Sequence, residues 1–255
     1  MQTQSDSLRV YWRPGCSSCV KVKEFLSGLG VEYVSINVSA EPGAMDELRE
    51  IGVRTVPVVA RGREYVFAQE LADVSQFIGR KVDFKRLPAP ELMDKWFTVL
   101  AAAQRHVVQL PPGHLGERAT EGRDRSIRDL AYHIHQIADA FLQAVLDGNE
   151  NLASLYNAPP PADVNTAGDI RNYGLRISQR LEGWWTAQAD KSCGGSVKTY
   201  YGIQPLHHLL ERCVWHSAQH ARQIISILGR FGIAPDQPLT AQDYQGLPMP
   251  EGLWE

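Results

Sequence analysis

The sequence predicts two domains of different fold class, an α/β domain in residues 1–84 and an all-α four-helix bundle in residues 92–232. Two observations predict this division. Short β-type runs alternate with short helical patterns in the first domain, whereas long helical patterns separated by polar or proline-rich loops fill the second. Residues 85–91 contain two prolines and show no periodicity, so we expect a linker there. The tail, 233–255, carries four prolines and is expected to pack irregularly over the bundle.

The elements of the first domain follow from its pattern of apolar runs and turn residues. Runs rich in valine, isoleucine and aromatic residues predict strands, and the helical patterns between them predict helices, the first of which ends at Gly30. The predicted strands are 8–12, 31–38, 56–60 and 64–68, and the predicted helices are 20–29, 44–51 and 71–78. This order is typical of a compact α/β fold.

A Cys-x-x-Cys motif lies where the first predicted strand meets the first predicted helix. Cys16 would lie at the helix N-terminus, where unpaired backbone N–H groups and the helix dipole stabilise a thiolate. Cys19, one turn inside the helix, would be close enough to attack a mixed disulfide formed on Cys16. Half of a zinc site is the alternative, but no second CxxC or CxxH motif follows in this region of the sequence. The motif therefore indicates thiol–disulfide exchange.

Residues 10–19, together with the Thr-Val-Pro sequence that ends at Pro57, resemble the glutaredoxin branch of the thioredoxin fold. The resemblance covers about residues 8–80. It implies that Cys16 is the attacking thiol and that Pro57 follows a cis peptide bond beside the active site. It also implies that the backbone of Val56 binds the peptide of a low-molecular-weight thiol such as glutathione. The identity of that thiol stays open.

The second domain shows four long helical patterns. Their lengths, and the two long connections among them, predict a four-helix bundle with crossover loops. The predicted helices are 92–110, 127–146, 166–189 and 206–231.

The last of these helices carries two histidines in its apolar stripe. His216 and His220 are four residues apart, so both project from one helical face about one turn apart, a spacing that can chelate one metal ion. A pair of bundle-edge histidines with water or carbonyl partners is the alternative. Burial of two imidazoles in an apolar seam favours the metal, because buried polar groups require partners.

A third ligand is needed for a labile or catalytic metal site. The second bundle helix offers His133 and His135, which border its apolar face equally, and the first offers His106. Helical periodicity does not choose among these three.

Residues 126–133 (SIRDLAYH) and 216–223 (HSAQHARQ) are similar to the DinB-like superfamily. The resemblance covers about residues 90–232. It implies a four-helix bundle whose second and last helices hold one divalent metal, with His133, His216 and His220 as ligands. Zinc, nickel and iron(II) are all compatible with imidazole. Members of the superfamily include S-transferases and an isomerase that depend on low-molecular-weight thiols.

Composition narrows the remaining function classes. A net charge of −3 gives no indication of nucleic-acid or membrane binding, and no apolar run is long enough to span a bilayer. The N-terminus lacks a signal-peptide pattern, and one close cysteine pair plus two scattered cysteines is unlike a secreted disulfide framework, so we expect the cytoplasm.

Both domains point to thiol chemistry. We therefore predict a thiol-dependent two-domain enzyme that exchanges disulfides at Cys16 and Cys19 and uses a metal-bound thiol in the bundle. Its expected partners are a small thiol and either an electrophilic small molecule or a protein disulfide, and a homodimer stays open. One alternative is a disulfide oxidoreductase with the bundle as a recognition module. Another is a non-enzymatic metal or redox stress sensor.

Overall fold

The structure is a computed structural model that describes residues 7–150 and 152–254. It divides into two compact units. Of the described residues, the first unit contains those up to Lys85, the segment Thr120–Arg123 and those from Pro250 onward. The second unit contains Arg86–Ala119 and Asp124–Met249. No helix in the described part of the chain is long and apolar enough to cross a membrane.

A four-stranded mixed sheet forms the centre of the first unit. Its strands are β1 (Arg9–Trp12), β2 (Val34–Asn37), β3 (Val58–Arg61) and β4 (Glu64–Phe67). They lie in the order β2-β1-β3-β4, with β1 and β2 parallel and the other neighbours antiparallel. The helices of this unit are α1 (Ser17–Gly28), α2 (Ala44–Glu50) and α3 (Leu71–Phe77).

Helices cover both faces of this sheet. Successive strand residues point to opposite sides, so apolar residues of one strand contribute to a separate core on each face. Tyr11 and Val58 are register partners and pack in one apolar cluster with buried residues of α2. Val10 and Val59, the neighbouring pair, pack in a second cluster with buried residues of α1 and α3. The predicted α/β fold class is confirmed.

The second unit is built on four long helices that pack against one another. These are α4 (Ala89–Val107), α5 (Ile127–Asp147), α7 (Ala167–Ala187) and α8 (Leu206–Arg230). Shorter elements connect or follow them: a 3-10 turn (Pro112–His114), α6 (Leu152–Asn157), the hairpin strands β5 (Ser196–Thr199) and β6 (Gly202–Pro205), and α9 (Ala241–Tyr244). The predicted four-helix bundle is confirmed.

Side-chain caps set where two of the bundle helices begin. The Ser126 hydroxyl accepts a hydrogen bond from the backbone N–H of Asp129 over 3.0 Å and caps α5. Thr166 and Asp169 form a reciprocal capping box at the start of α7. Each cap satisfies a backbone N–H group that has no partner within the helix and so stabilises the start of that helix.

Aromatic side chains fill the middle of the bundle. The ring of Phe141 lies edge-on between those of Trp96 and Trp184, with centroid distances of 5.3 and 5.0 Å. The indole N–H of Trp96 donates to the Ser217 hydroxyl over 3.0 Å, so its polar atom is satisfied inside the core. These contacts join all four long helices.

Several local expectations differ from the structure. The first bundle helix begins at Ala89, three residues earlier than predicted and inside the expected linker, because Pro88 and Pro90 lie before and within its first turn, where proline is tolerated. The long connection before α7 contains α6, and the tail contains α9. The end of the tail was expected to pack over the bundle. It belongs to the first unit, where the backbone N–H groups of Glu251 and Gly252 donate to the Glu24 carboxylate over 2.8 and 2.7 Å.

Candidate redox and metal sites

The two cysteines of the CxxC motif lie at the start of α1. Cys16 is the N-cap residue, and its sulfur accepts from the backbone N–H of Cys19 at 3.3 Å. The pair forms a disulfide with a Cα–Cα distance of 5.2 Å. Cys16 is partly accessible, whereas Cys19 is fully buried. In the reduced form, this geometry would offer Cys16 to a substrate and hold Cys19 behind it.

Val56 and Pro57 lie beside this pair. The Val56–Pro57 peptide bond is cis, and the Pro57 carbonyl accepts from the backbone N–H of Ala68 over 3.1 Å. Val56 is buried in the same apolar cluster as Cys19, and Cys16 packs against that cluster. The structure therefore brings together the four residues that the sequence singled out for thiol chemistry.

An arginine that the sequence gave no reason to select also contacts the CxxC loop. Within the first unit, Arg123 donates from Nη1 to the Gly15 carbonyl over 2.6 Å. Burial, with a further contribution from the charge of Arg13, lowers the pKa of Arg123 to about 10. The approach requires Gly15, since a β-carbon there would lie 3.0 Å from Cδ of Arg123 and the backbone φ is +65°. Arg123 lies in the connection between the first two predicted bundle helices, and a loop pattern carries no signal of a long-range contact.

Three histidines converge inside the bundle, and all three are buried. His133 lies on α5, and His216 and His220 lie on α8. One potential ligand atom from each lies within 4.8 Å of those of the other two. The Nε2 atoms of His216 and His220 face each other 3.1 Å apart. Nitrogen ligands on a tetrahedral zinc at about 2.0–2.1 Å would be roughly 3.3 Å apart, so the spacing of this pair fits a shared ion.

Two glutamines orient the cluster. Nδ1 of His133 donates to Oε1 of Gln136 over 2.9 Å, and Nδ1 of His220 donates to Oε1 of Gln223 over 2.6 Å. Each glutamine lies three residues after its histidine on the same helix. A proton held at Nδ1 leaves the Nε2 lone pair available, which is the usual way a second hydrogen bond fixes the tautomer of a metal-binding histidine.

Burial keeps His216 neutral. It lowers the pKa of His216 well below the usual range, with smaller contributions from His220, Arg212 and His133. A neutral imidazole offers the lone pair that a metal ion needs. Among residues 7–150 and 152–254, Nδ1 of His216 has no hydrogen-bond partner. The residues present therefore fit a divalent metal.

The remaining histidine candidates lie elsewhere. His135 is fully buried against α7, where a β-carbon on Gly174 would be only 2.6 Å from its Nε2 atom. His106 donates from Nε2 to the Asp236 carbonyl over 3.0 Å. Neither belongs to the cluster. Of the two α5 histidines that periodicity left equal, the structure places His133 with His216.

A polar and aromatic group borders the cluster. The Tyr156 ring, on α6, lies 6.1 Å from both His133 and His216 between centroids. Its hydroxyl lies 3.6 Å from the Cys213 sulfur, and burial raises the pKa of Cys213 to about 11. Sequence analysis placed Tyr156 in an irregular connection, so its approach to the histidines was missed. A short helical run in that loop is the one signal that could have indicated it.

Comparisons with known proteins bear on both units. A glutaredoxin family model matches residues 8–66. The glutaredoxin-like protein NrdH of Salmonella typhimurium is 38% identical over 56 residues, which are 22% of this chain and 69% of NrdH. The gene 56 protein of Mycobacterium phage L5 is 37% identical over 51 residues, 20% of this chain and half of that protein.

One solved structure is similar to a larger part of the chain. It is YfiT from Bacillus subtilis, described as a probable metal-dependent hydrolase with an unusual four-helix bundle topology. The match covers 61% of this chain and 96% of YfiT, with a TM-score of 0.42 and 17% sequence identity.

Proposed function

This chain belongs to the glutaredoxin family through residues 8–66, and on that premise we propose that it is a two-domain thiol-dependent enzyme. In this proposal the first unit exchanges disulfides at Cys16 and Cys19. The bundle uses a low-molecular-weight thiol at a divalent metal held by His133, His216 and His220. The observation that carries the proposal is the convergence of three buried histidines, two of which donate from Nδ1 to a glutamine. The other unit of the same chain carries the cysteine pair Cys16 and Cys19.

The redox half-reaction follows from the positions of the two sulfurs. The Cys16 thiolate attacks one sulfur of a substrate disulfide, and the other leaves as a thiolate that takes up a proton. The Cys19 thiolate then attacks the Cys16 sulfur, which releases the second substrate thiol and forms the Cys16–Cys19 disulfide. The substrate gains two electrons, and two molecules of a small thiol restore the reduced enzyme. Val56 and Pro57 would bind the peptide backbone of a small thiol such as glutathione.

The bundle half-reaction depends on what three neutral imidazoles can hold. A divalent ion bound there would lower the pKa of a thiol and favour its thiolate for attack on an electrophile. Gln136 and Gln223 keep the Nδ1 protons of His133 and His220 in place. Three protein ligands leave a coordination position for the small molecule. Zinc, nickel and iron(II) all suit this ligand set.

Two measurements on the full chain test the proposal. Metal analysis of the purified protein should find about one divalent ion per chain, and mass spectrometry of a Cys19→Ser variant should find a small thiol disulfide-bonded to Cys16. Turnover of an electrophile with that thiol should require the metal. Full disulfide-reductase activity with an empty bundle would contradict the metal half and favour an oxidoreductase in which the bundle only recognises a protein.

A further inference from the structure

A short segment from outside the glutaredoxin match packs against the CxxC loop of the first unit. The segment is Thr120–Arg123, which belongs to that unit although the family model covers only residues 8–66. Nη1 of Arg123 donates to the carbonyl of Gly15, the residue before Cys16, over 2.6 Å. Whatever this segment does at the redox site is therefore not a feature of the matched domain.

Two glycines allow the segment to lie directly on this loop. A β-carbon at Gly15 would lie 3.0 Å from Cδ of Arg123 and 3.2 Å from Cγ2 of Thr120. A β-carbon at Gly122 would lie 3.3 Å from both Cβ and Cγ of Pro14. The φ angles of the two glycines are +65° and +75°, a conformation that residues with a side chain rarely adopt. The segment thus contacts the two residues before the first cysteine and leaves no room for a substrate chain there.

The rest of the motif is also closed to a large substrate. Of residues 15–20, only Cys16 is not buried, and it is itself only partly exposed. Ser17 and Ser18, the residues between the two cysteines, have 2% and 6% of their surface exposed. A substrate can therefore reach the Cys16 sulfur, but it cannot spread over the residues that flank Cys16 in the sequence.

The length of a bound substrate decides how much this closure matters. In the proposed function, the backbone of Val56 binds the substrate thiol beside Cys16. An extended peptide adds about 3.3–3.6 Å per residue, so a protein chain bound at Val56 continues beyond Cys16 at one or both ends. A thiol of two or three residues ends close to its own sulfur. The side occupied by Arg123 therefore obstructs a polypeptide more than a small thiol.

We propose that the segment Thr120–Arg123 restricts the redox site to disulfides of low-molecular-weight thiols and excludes those of proteins, with Arg123 as the specificity-determining residue. This deepens the proposed function and rests on its thiol–disulfide exchange at Cys16. The Cys16 thiolate displaces one sulfur of the substrate disulfide as a thiolate, and Cys19 then displaces the sulfur that stayed on Cys16. These bonds are the same in both substrate classes, so the restriction acts on access alone.

The test compares two disulfides that present the same bond on substrates of different length. Both probes are mixed disulfides of 5-thio-2-nitrobenzoate, one with N-acetylcysteinamide and one with the central cysteine of a long, uncharged, unstructured peptide. The reduced full chain attacks the cysteine sulfur of either probe, and the absorbance of the released nitrobenzoate thiolate gives the rate. Rates with free 2-mercaptoethanol correct for the intrinsic reactivity of each probe. The corrected rate should be at least about tenfold higher with the short probe.

Shortening the arginine should open the site to the peptide. Arg123→Ala should lower the ratio of the two corrected rates severalfold, toward one. Both probes react with the same Cys16 thiolate, so a change in its pKa alters the two rates equally and leaves their ratio unchanged. A purely electrostatic role of Arg123 would therefore not move the ratio. Arg118→Ala is the matched control, because Arg118 lies in the same connection, is exposed and pairs with Asp124, and it should keep the wild-type ratio.

The outcomes distinguish failure of the restriction from failure of the proposed function. If the wild type releases nitrobenzoate from neither probe, or Cys16→Ser releases it as fast as the wild type, exchange at Cys16 is wrong and the restriction falls with it. Equal corrected rates for the two probes, or a faster reaction with the peptide, would leave the exchange standing and overturn the restriction. That comparison uses the wild type alone, so it holds even when Arg123→Ala does not fold. A wild-type ratio in folded Arg123→Ala would overturn the role of Arg123.

Discussion

Nδ1 of His220 donates to Oε1 of Gln223 over 2.6 Å, and this contact directs the other ring nitrogen of His220 at Nε2 of His216. The glutamine is three residues along the same helix, so it belongs to the local structure of α8 and requires no long-range partner. Residues of α8 alone therefore set the orientation of the His220 ring in the cluster. The third histidine of the cluster, His133, comes from α5.

Removing the amide of Gln223 should weaken metal binding. In Gln223→Leu the Nδ1 proton of His220 loses its acceptor, so the tautomer and ring orientation are no longer held. We expect affinity for zinc to fall roughly 10- to 100-fold, measured by competition with a chelator. Gln143→Leu, a partly buried glutamine of α5 that contacts Asp139, should leave the affinity unchanged. Equal affinity in the Gln223 variant and the wild type would argue against the assigned tautomer.

His133→Ala should empty the site. With only His216 and His220 left, both on one helix, the cluster loses the ligand that joins α5 to α8. Metal content by plasma emission should fall from about one ion per chain to near none, and added zinc should raise the melting temperature less than in the wild type. His114→Ala changes an exposed histidine that pairs with Glu117 and is the matched control. A full complement of metal in His133→Ala would exclude the site as drawn.

His135 should make the protein sensitive to acid. Burial lowers its pKa to about 4, below the roughly 6.5 of an unfolded histidine. The unfolded chain therefore binds more protons between these values, and the free energy of unfolding falls as pH drops from about 6.5 to about 4. The largest loss is about 3 kcal/mol. The stabilisation is fully present above pH 6.5.

The measurement for His135 is urea unfolding as a function of pH. His135→Leu should lose less stability than the wild type between pH 6.5 and pH 4, because no histidine has to remain neutral in that core position. His114→Gln, at an exposed position, should follow the wild-type curve. Parallel curves for His135→Leu and the wild type would show that His135 is not buried in its neutral form.

Cys16 should be the attacking thiol, and Arg123 should favour its thiolate. Cys16→Ser should abolish reduction of small mixed disulfides, whereas Cys19→Ser should accumulate the mixed disulfide on Cys16. Arg123→Gln removes a buried cation hydrogen-bonded to Gly15, so the pKa of Cys16 should rise by up to about one unit. The pH dependence of alkylation measures it, with Arg61→Gln, an exposed arginine at the end of β3, as the control. A lower Cys16 pKa in Arg123→Gln would contradict this role.

The two units should fold separately, with the first weakened by the loss of its distant segments. A fragment of residues 86–249 should unfold cooperatively. A fragment of residues 1–85 lacks Glu251 and Gly252, whose N–H groups bind the Glu24 carboxylate, and should lose about 1–3 kcal/mol. Urea unfolding of this fragment, compared with the full chain, gives the difference. Glu24→Gln in the full chain should reproduce part of that loss, and an unchanged midpoint would show that the tail contributes nothing.

Local patterns in the sequence determined most of the fold and the residues of the redox motif. Strand and helix periods depend only on neighbouring residues, and the CxxC motif at the start of α1 is such a local signal. The i, i+4 spacing of His216 and His220 is equally local. So is the position of Gln136 and of Gln223, each three residues after the histidine that it contacts. The same reasoning placed the first bundle helix three residues late, since Pro88 and Pro90 were interpreted as linker residues when they occupy the start of α4.

Helical periodicity did not decide between His133 and His135, and only the tertiary structure shows which partners each of them meets and which distant residues reach the two sites. The two histidines border the apolar stripe of α5 at equal angles, so the choice depends on which neighbour each side meets: α8 for His133 and Gly174 of α7 for His135. Tyr156 reaches the cluster from a connecting segment, and Arg123 reaches Gly15 across more than a hundred residues of chain. Such contacts form between residues that are distant in sequence, so they depend on how the helices and loops pack in the folded chain. A repeat along the chain encodes which face a residue lies on, but not what that face will touch.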